Sequence, residues 1–467
     1  MPVRRSARLR HRYQPAGLNN LAPPPAPTHA PAGPDTTASI PHEIFCIIFQ
    51  DITDSTDPNI SNLRNILAVS SVNRRWRAAG KATRKPWADG LVMDLKGFEM
   101  IKTILERSHN AANPTESPSL SVEASELIKS ALRQKKWRLA FAHFYRFRSL
   151  KLKFKLHPGQ YLDPLREKLE QAPETTRLEV LHVTCGTTQI AEHLFGTRDT
   201  EMQVLQDLHM EHLYAYTDLN NNFFRGVEKF YYGYPQSAGG FDPTVDLYWL
   251  MAMEGLVQLR ELRIDEAVTR YFTGGAQFAG VNNNPIINSQ ALRDIFVSGN
   301  FAGVGTVQAS IVLIQSANRT FKIRTDRNSF TSLNDIHFPS PVFTQLWVGM
   351  TSPTSLFISL THERLIVKAT QMTSQTLIEI RPHSFSSWDS YAYLLMDRMT
   401  QGSLGQGLNT VTTLVFDVHF RRMDQITFNQ IVEALPNCTR IDISRGMYNR
   451  DVDTTGWLAT GAVGVQS

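Results

Sequence analysis

From Ile40 onward the chain moves between two apolar rhythms. Ile40, Ile44, Ile48 and Ile52 recur at every fourth position, and Phe45 and Phe49 widen the stripe, so one face of a helix of roughly three turns is apolar. Pro41 suits the first turn of that helix because it has no N–H to leave unpaired there, and Glu43 complements the positive end of its dipole. After a polar loop with Asp57 and Pro58, residues 63–70 predict a second helix carrying Leu63, Ile66, Leu67 and Val69. Residues 72–79, from Val72 through Trp76, predict a third, which Gly80 and Pro86 terminate before Trp87.

Past residue 96 the rhythm shortens to that of strands. Runs at 150–154, 178–183, 205–210, 227–232 and 259–264 recur roughly every 20 to 35 residues, and Val122 belongs to an earlier one. The same unit closes the chain: a strand at 413–418, a helix-like stretch at 428–435, Pro436-Asn437, then a strand at 439–443. Residues 165–172 and Pro173 before Leu178 repeat that order of helix, proline and strand. Residues 266–345 interrupt the pattern with Gly274-Gly275 and the run from Asn282 to Pro285, although 311–314 and 321–324 read as neighbouring strands. Residues 386–399, with Trp388, Tyr391, Leu394, Leu395 and Met399, predict one more outer helix. The fold class expected is α/β.

Composition narrows what such a chain can be. Hydrophobic residues make up 42% and charged ones 19%, enough apolar surface for a packed core, and 467 residues at ~150 per domain suggest about three units or one extended stack. Residues 1–38 differ. They hold Arg4, Arg5, Arg8, Arg10 and Arg12, then seven prolines from Pro15 to Pro34, a composition that favours extended, solvated chain.

That basic segment carries the whole charge imbalance. Residues 1–34 hold five of the 48 lysines and arginines and no acid, which leaves 43 basic against 43 acidic residues elsewhere. A nucleic-acid-binding domain places its excess cations on the folded surface, so nucleic acid is disfavoured as the main partner. The Arg run reads as a solvated tail in preference to a nuclear-import signal. Cys46, Cys185 and Cys438 are too few and too scattered for a disulfide framework, which points to a reducing compartment. No run approaches the ~18 apolar residues of a membrane span, and no apolar segment follows the Arg run, so cytosol or nucleus is the expected location and no membrane partner is expected.

Three helices over about 45 residues cannot bury enough surface on their own, so their apolar stripes must be covered by the rest of the chain or by another protein. The residues themselves are specific. The pattern Ile-Pro-x-Glu-Ile-Phe-x-x-Ile-Phe from Ile40, followed by Leu-x-x-Ile-Leu-x-Val-Ser-x-Val-x-Arg-x-Trp-Arg from Leu63, resembles an F-box. Pro86-Trp87 and residues 92–95 resemble the Leu-Trp and first strand that come after the F-box in the expanded fungal F-box family. Ile40 stands where Leu is usual, Asn73 where Cys is usual, and the loop at 53–62 is long. The helix, proline and strand order of the later units resembles degenerate leucine-rich repeats, which must stack to bury their apolar faces.

Composition implies a disordered tail at 1–38; the resemblance implies a short all-α F-box-like helical domain at 39–90 and a leucine-rich-repeat-like solenoid of parallel strands with outer helices at 91–467, irregular around 266–345. It implies a non-enzymatic substrate receptor in a Skp–cullin–F-box ubiquitin ligase, docking on a Skp-type adaptor and through it a cullin, while the solenoid holds a target protein. Pro41, Ile44, Ile48, Leu63, Val69 and Val72 would meet the adaptor; Ile40, Phe49 and Trp76 would form the module's core. The alternative is a repeat scaffold whose first helices only cap the stack.

No rival chemistry has a complete motif. Gly303-Val304-Gly305 and the glycines between Gly402 and Gly407 complete no phosphate-binding loop. His209-Met210-Glu211-His212, or His182 with Cys185, falls short of the three or four converging donors of a zinc site. No cofactor, metal or catalytic residue is expected. Phe230, Tyr231, Tyr232 and Tyr234 form an aromatic run whose alternate members strand geometry buries.

Overall fold

The computed structural model describes residues 39–54, 60–89, 91–93, 97–113, 116–125, 131–154, 165, 167–169, 177–185, 204–211, 225–233, 256–267, 289–300, 304, 307–308, 311, 317–324, 352–361, 364–381, 408–418 and 431–443. The Arg- and Pro-rich segment, Tyr234, His212, the Gly402 to Gly407 stretch and residues 386–399 lie outside them.

Four helices come first: α1 (His42–Asp54), α2 (Ile60–Ser71), α3 (Arg74–Ala82) and the short α4 (Lys85–Asp89). Two more, α5 (Phe98–Ser108) and α6 (Ala131–Phe141), alternate with β1 (Leu91–Val92), β2 (Leu120–Ser125) and β3 (Phe147–Phe154). Then come β4 (Val180–Cys185), β5 (Asp207–Glu211), β6 (Lys229–Gly233), β7 (Glu261–Ala267), β8 (Asp294–Asn300) and β9 (Asn318–Arg324). The last strands are β10 (Ser355–Leu360), β11 (Leu365–Thr370), β12 (Gln375–Arg381), β13 (Thr413–Val418) and β14 (Arg440–Ile443).

All 14 strands among the described residues form one sheet, in the order β1 to β9 and then β12, β11, β10, β13, β14. The units stack by one repeated contact. A backbone carbonyl just before one strand accepts the N–H groups of two successive residues entering the next: Glu179 from Gln206 and Asp207, Gln206 from Glu228 and Lys229, Glu228 from Arg260 and Glu261, Arg260 from Arg293 and Asp294. Thr354 and Thr412 repeat it beyond the last crossover. A parallel pair has evenly spaced, slanted bonds, and this shared acceptor sets the same register at each step.

One face of the sheet is apolar, except where Arg319 and Thr376 continue one of its rows. In register, Leu150, Leu181, Leu208, Phe230, Leu262 and Ile295 form one buried row, and Leu152, Val183, Met210, Tyr232, Ile264, Val297 and Phe321 form the next. Most of the alternate positions are half-buried or exposed; Gly233, Ser359 and Glu379 are buried. Buried Leu165, Leu169, Ile431 and Val432 belong to short helical stretches between strands, with Leu435 just beyond the second, and one apolar cluster runs from Phe49 and Ile66 through Trp87 to Ile441.

Two expectations need correction. Residues 294–300, inside the stretch read as irregular, are a strand that continues the parallel ladder, and 321–324, read as a strand within that stretch, belong to β9. Of the run 311–314, read as a strand beside 321–324, residues 312–314 lie outside the described residues; the described partners of β9 are β8 and β12. Not all strands are parallel: β11 runs antiparallel to both β10 and β12. The connections at 361–364 and 371–374 are closed by Thr361 N–H on Arg364 O at 3.0 Å and Gln371 N–H on Ser374 O at 2.8 Å. Loops this short cannot make the crossover that a parallel pair requires.

Candidate protein-docking surface

The first three helices pack around Phe45 and Phe49, both fully buried. Asn73 starts α3 in extended backbone and accepts the Trp76 N–H on Oδ1 at 3.0 Å, an N-cap that explains asparagine at that position. The cap fixes Trp76 where its ring meets Phe45 edge to face, centroids 4.8 Å apart. Arg75 reaches back across the module, donating to Ile40 O at 2.6 Å with its guanidinium 5.2 Å from the Phe45 ring centre. Trp87 is fully buried, donates Nε1–H to Gly80 O at 2.6 Å, and lies under the Arg107 guanidinium at 4.4 Å. The module is thereby tied to α5 and to the end of the sheet.

The residues expected to meet a partner divide by exposure. Pro41 is exposed, Ile44 keeps 43% of its surface and Val72 65%, while Ile48 and Val69 are half-buried. The Leu63 side chain lies outside the described residues. Of the expected core, Phe49 is fully buried and Ile40 and Trp76 half-buried. The sequence reading missed Ile47, 55% exposed, and Leu67, 40% exposed. Ile47 lies three residues beyond Ile44 and Leu67 four beyond Leu63, the spacings that share a helix face, and that was the available signal. Outside residues 44–72, the exposed large apolar side chains among the described residues are Tyr145, Val204, Val257 and Met372, scattered along the chain. Isolated exposed apolar residues are ordinary; four within two adjacent helices and their corner are not.

The second surface is the half-exposed face of the sheet. His182, His209, Tyr231, Arg263 and Phe296 occupy one row on β4 to β8. The rings of His182 and His209 are 5.2 Å apart and those of His209 and Tyr231 3.7 Å; Arg263 then lies 5.1 Å from the Tyr231 ring centre and 4.6 Å from that of Phe296. Asp265 accepts from Tyr231 Oη–H at 2.8 Å, from Arg263 at 3.0 Å and from Ser298 at 2.9 Å. Burial and then the bond to Asp265 push the Tyr231 phenol far above its ordinary range. Phe230 and Tyr232 point to the core, so the aromatic run is not one patch.

His182 is 3.1 Å from Asp207, and His209 is 3.7 Å from Glu211. Among the described residues no group of three or more His, Cys, Asp or Glu is placed to hold a metal ion, and no described helix is long and apolar enough to cross a membrane. Comparison with protein-family models, with curated proteins and with solved structures finds no match to this chain.

Proposed function

We propose that this chain is the substrate-recognition subunit of a Skp–cullin–F-box ubiquitin ligase, its first three helices gripping a Skp-type adaptor that joins a cullin, and its sheet receiving a target protein. One observation carries the reading: Ile44, Ile47 and Leu67 on the helices whose motif resembles an F-box, and Val72 at the corner between the second and third, stand open. Fully burying such a side chain contributes about 1.5–3 kcal/mol, so a partner covering this face gains what the free chain forgoes. The role needs no bond-making residue of its own and operates in cytosol or nucleus.

The test is a pull-down of the full chain with a Skp-type adaptor. Ile44→Asp buries a charge in the interface and is expected to abolish capture, while the far-ultraviolet dichroism and unfolding midpoint stay those of the parent. Capture at the parental level would refute the reading. Point substitution is the better design, because Phe49, Ile66 and Trp87 share a core with the sheet and deletion of 40–90 would unroof it.

One observation favours a second reading, a repeat scaffold whose helices cap the stack: α4 and Trp87 close the sheet at its β1 end through that shared core. A cap alone predicts no adaptor in the pull-down at any concentration.

A further inference from the structure

We infer that the exposed face of the sheet between β9 and β11 binds an acidic peptide segment, rich in Asp and Glu, of a partner protein. Glu379 on β12 is buried, yet three cations converge on it: Arg381 at 2.8 Å, Arg364 at 3.3 Å and Lys322 at 3.9 Å. Arg381 is the closest of the three to Glu379, so that among the described residues the charges of Lys322 and Arg364 stand in excess of this one carboxylate. Arg324 occupies the position opposite Arg381 in the β9–β12 register. Lys368 comes next on β11, opposite Leu377. Lys322 also lies 5.4 Å from the Phe296 ring centre, which Arg263 approaches from the other side.

Charge complementarity selects the occupant. Outside residues 1–34 the chain is formally neutral, so this concentration is a local feature and not part of a basic surface. Lys322 and Arg364 keep 44% and 45% of their side-chain surfaces open, so both can reach a ligand while remaining near Glu379. The window is narrow: Asp265 and Asp294 lie on the β7 and β8 side, and Asp417 and Asp442 on the β13 and β14 side. From β9 to β11 is two inter-strand steps, ~10 Å, which matches about three residues of extended peptide and not the long uninterrupted anion of a nucleic acid. Naming the occupant as part of a target protein rests on the receptor reading above; the cation cluster itself does not.

The experiment uses the full chain and fluorescence anisotropy. The probe is a fluorescein-labelled decapeptide of Asp and Glu, with its Asn and Gln analogue as neutral control and an oligothymidine of equal charge as the competing polyanion. The expected result is salt-sensitive binding of the acidic peptide alone, weakened about tenfold or more by Lys322→Gln with Arg364→Gln. Arg260→Gln, which removes a cation 58% exposed just before β7, should leave it unchanged. Lys322→Glu with Arg364→Glu should transfer preference to a decapeptide of Lys and Arg, a gain that misfolding cannot imitate. No binding of the acidic peptide, equal binding of the neutral one, tighter binding of oligothymidine, or indifference to the paired substitution would each overturn the assignment. Adaptor capture is measured on the same samples, so loss of peptide binding with capture intact strikes the acidic site and not the receptor reading.

Discussion

Gly80 in α3 faces Phe49 in α1 so closely that a Cβ on the glycine would stand 2.9 Å from Phe49 Cε2 and 2.6 Å from Ser70 Oγ. The serine hydroxyl can rotate away from Ile66 O, which it now contacts at 2.6 Å, but the fully buried ring has nowhere to go. Gly80→Ala should therefore force α1 and α3 apart. The helix-propensity gain of alanine, ~1 kcal/mol, falls short of overpacking at ~1–3 kcal/mol. A lower urea midpoint is the expected outcome, and an unchanged or raised midpoint would show that the helices yield freely.

Trp87 joins the helical module to α5 and the sheet. Trp87→Phe keeps most of the buried ring but leaves Gly80 O without its donor and shortens the plate beneath Arg107. The expected loss is about 1–3 kcal/mol from the buried carbonyl, read as an unfolding midpoint. If the helices and the sheet unfold together, as their shared core implies, dichroism and tryptophan fluorescence should give one coincident transition.

How far the sequence led depends on whether a residue's surroundings repeat. Leu181 and Val183, Leu208 and Met210, Leu262 and Ile264 are legible because each core residue alternates with a polar one. The β10 to β12 strands escaped notice because Phe357, Ile366 and Leu377 place apolar side chains on the outer face too, which erases the alternation. β8 was obscured by the glycine- and asparagine-rich run before it. Arg319 misleads most: a charge in a strand reads as outward-facing, yet the register puts it in the buried row between Ile295 and Thr376. Desolvation there lowers its guanidinium to about 10. For the helices, four-residue spacing identified the apolar stripe but not what covers it, so Ile44 and Phe45 looked alike although one is open and the other sealed.

Arg146, at 1% exposure, has no carboxylate partner among the described residues and works through carbonyls instead. It donates to Ser108 O at 2.8 Å, Ser108 Oγ at 2.9 Å and Pro118 O at 3.1 Å, holding the end of α5 against the entry to β2. Arg146→Met fits the volume but leaves those acceptors buried and unpaired, at a cost of ~2–4 kcal/mol. Arg146→Lys can reach one carbonyl but not both, and should fall between the two in chemical denaturation. Equal stability of Met, Lys and parent would show that water takes over the bonds.

Glu379 gives the chain a pH dependence whose sign is set by its partners. Burial alone would raise its carboxyl, but the bond and charge of Arg381, with Arg364 and Lys322 behind it, outweigh burial and hold it below the ordinary glutamate value. A carboxyl depressed in the folded state stabilises the fold while ionised. Its contribution is complete above the unfolded value of about 4.3 and is lost as pH falls through the folded value. Glu379→Gln should therefore lower stability by ~1–3 kcal/mol at neutral pH, and the gap to the parent should close as the pH drops through that window. Unfolding midpoints of both proteins across an acid series test this. A gap that stayed constant would mean that the glutamine loses packing or hydrogen bonds only, and that the three cations add nothing through charge.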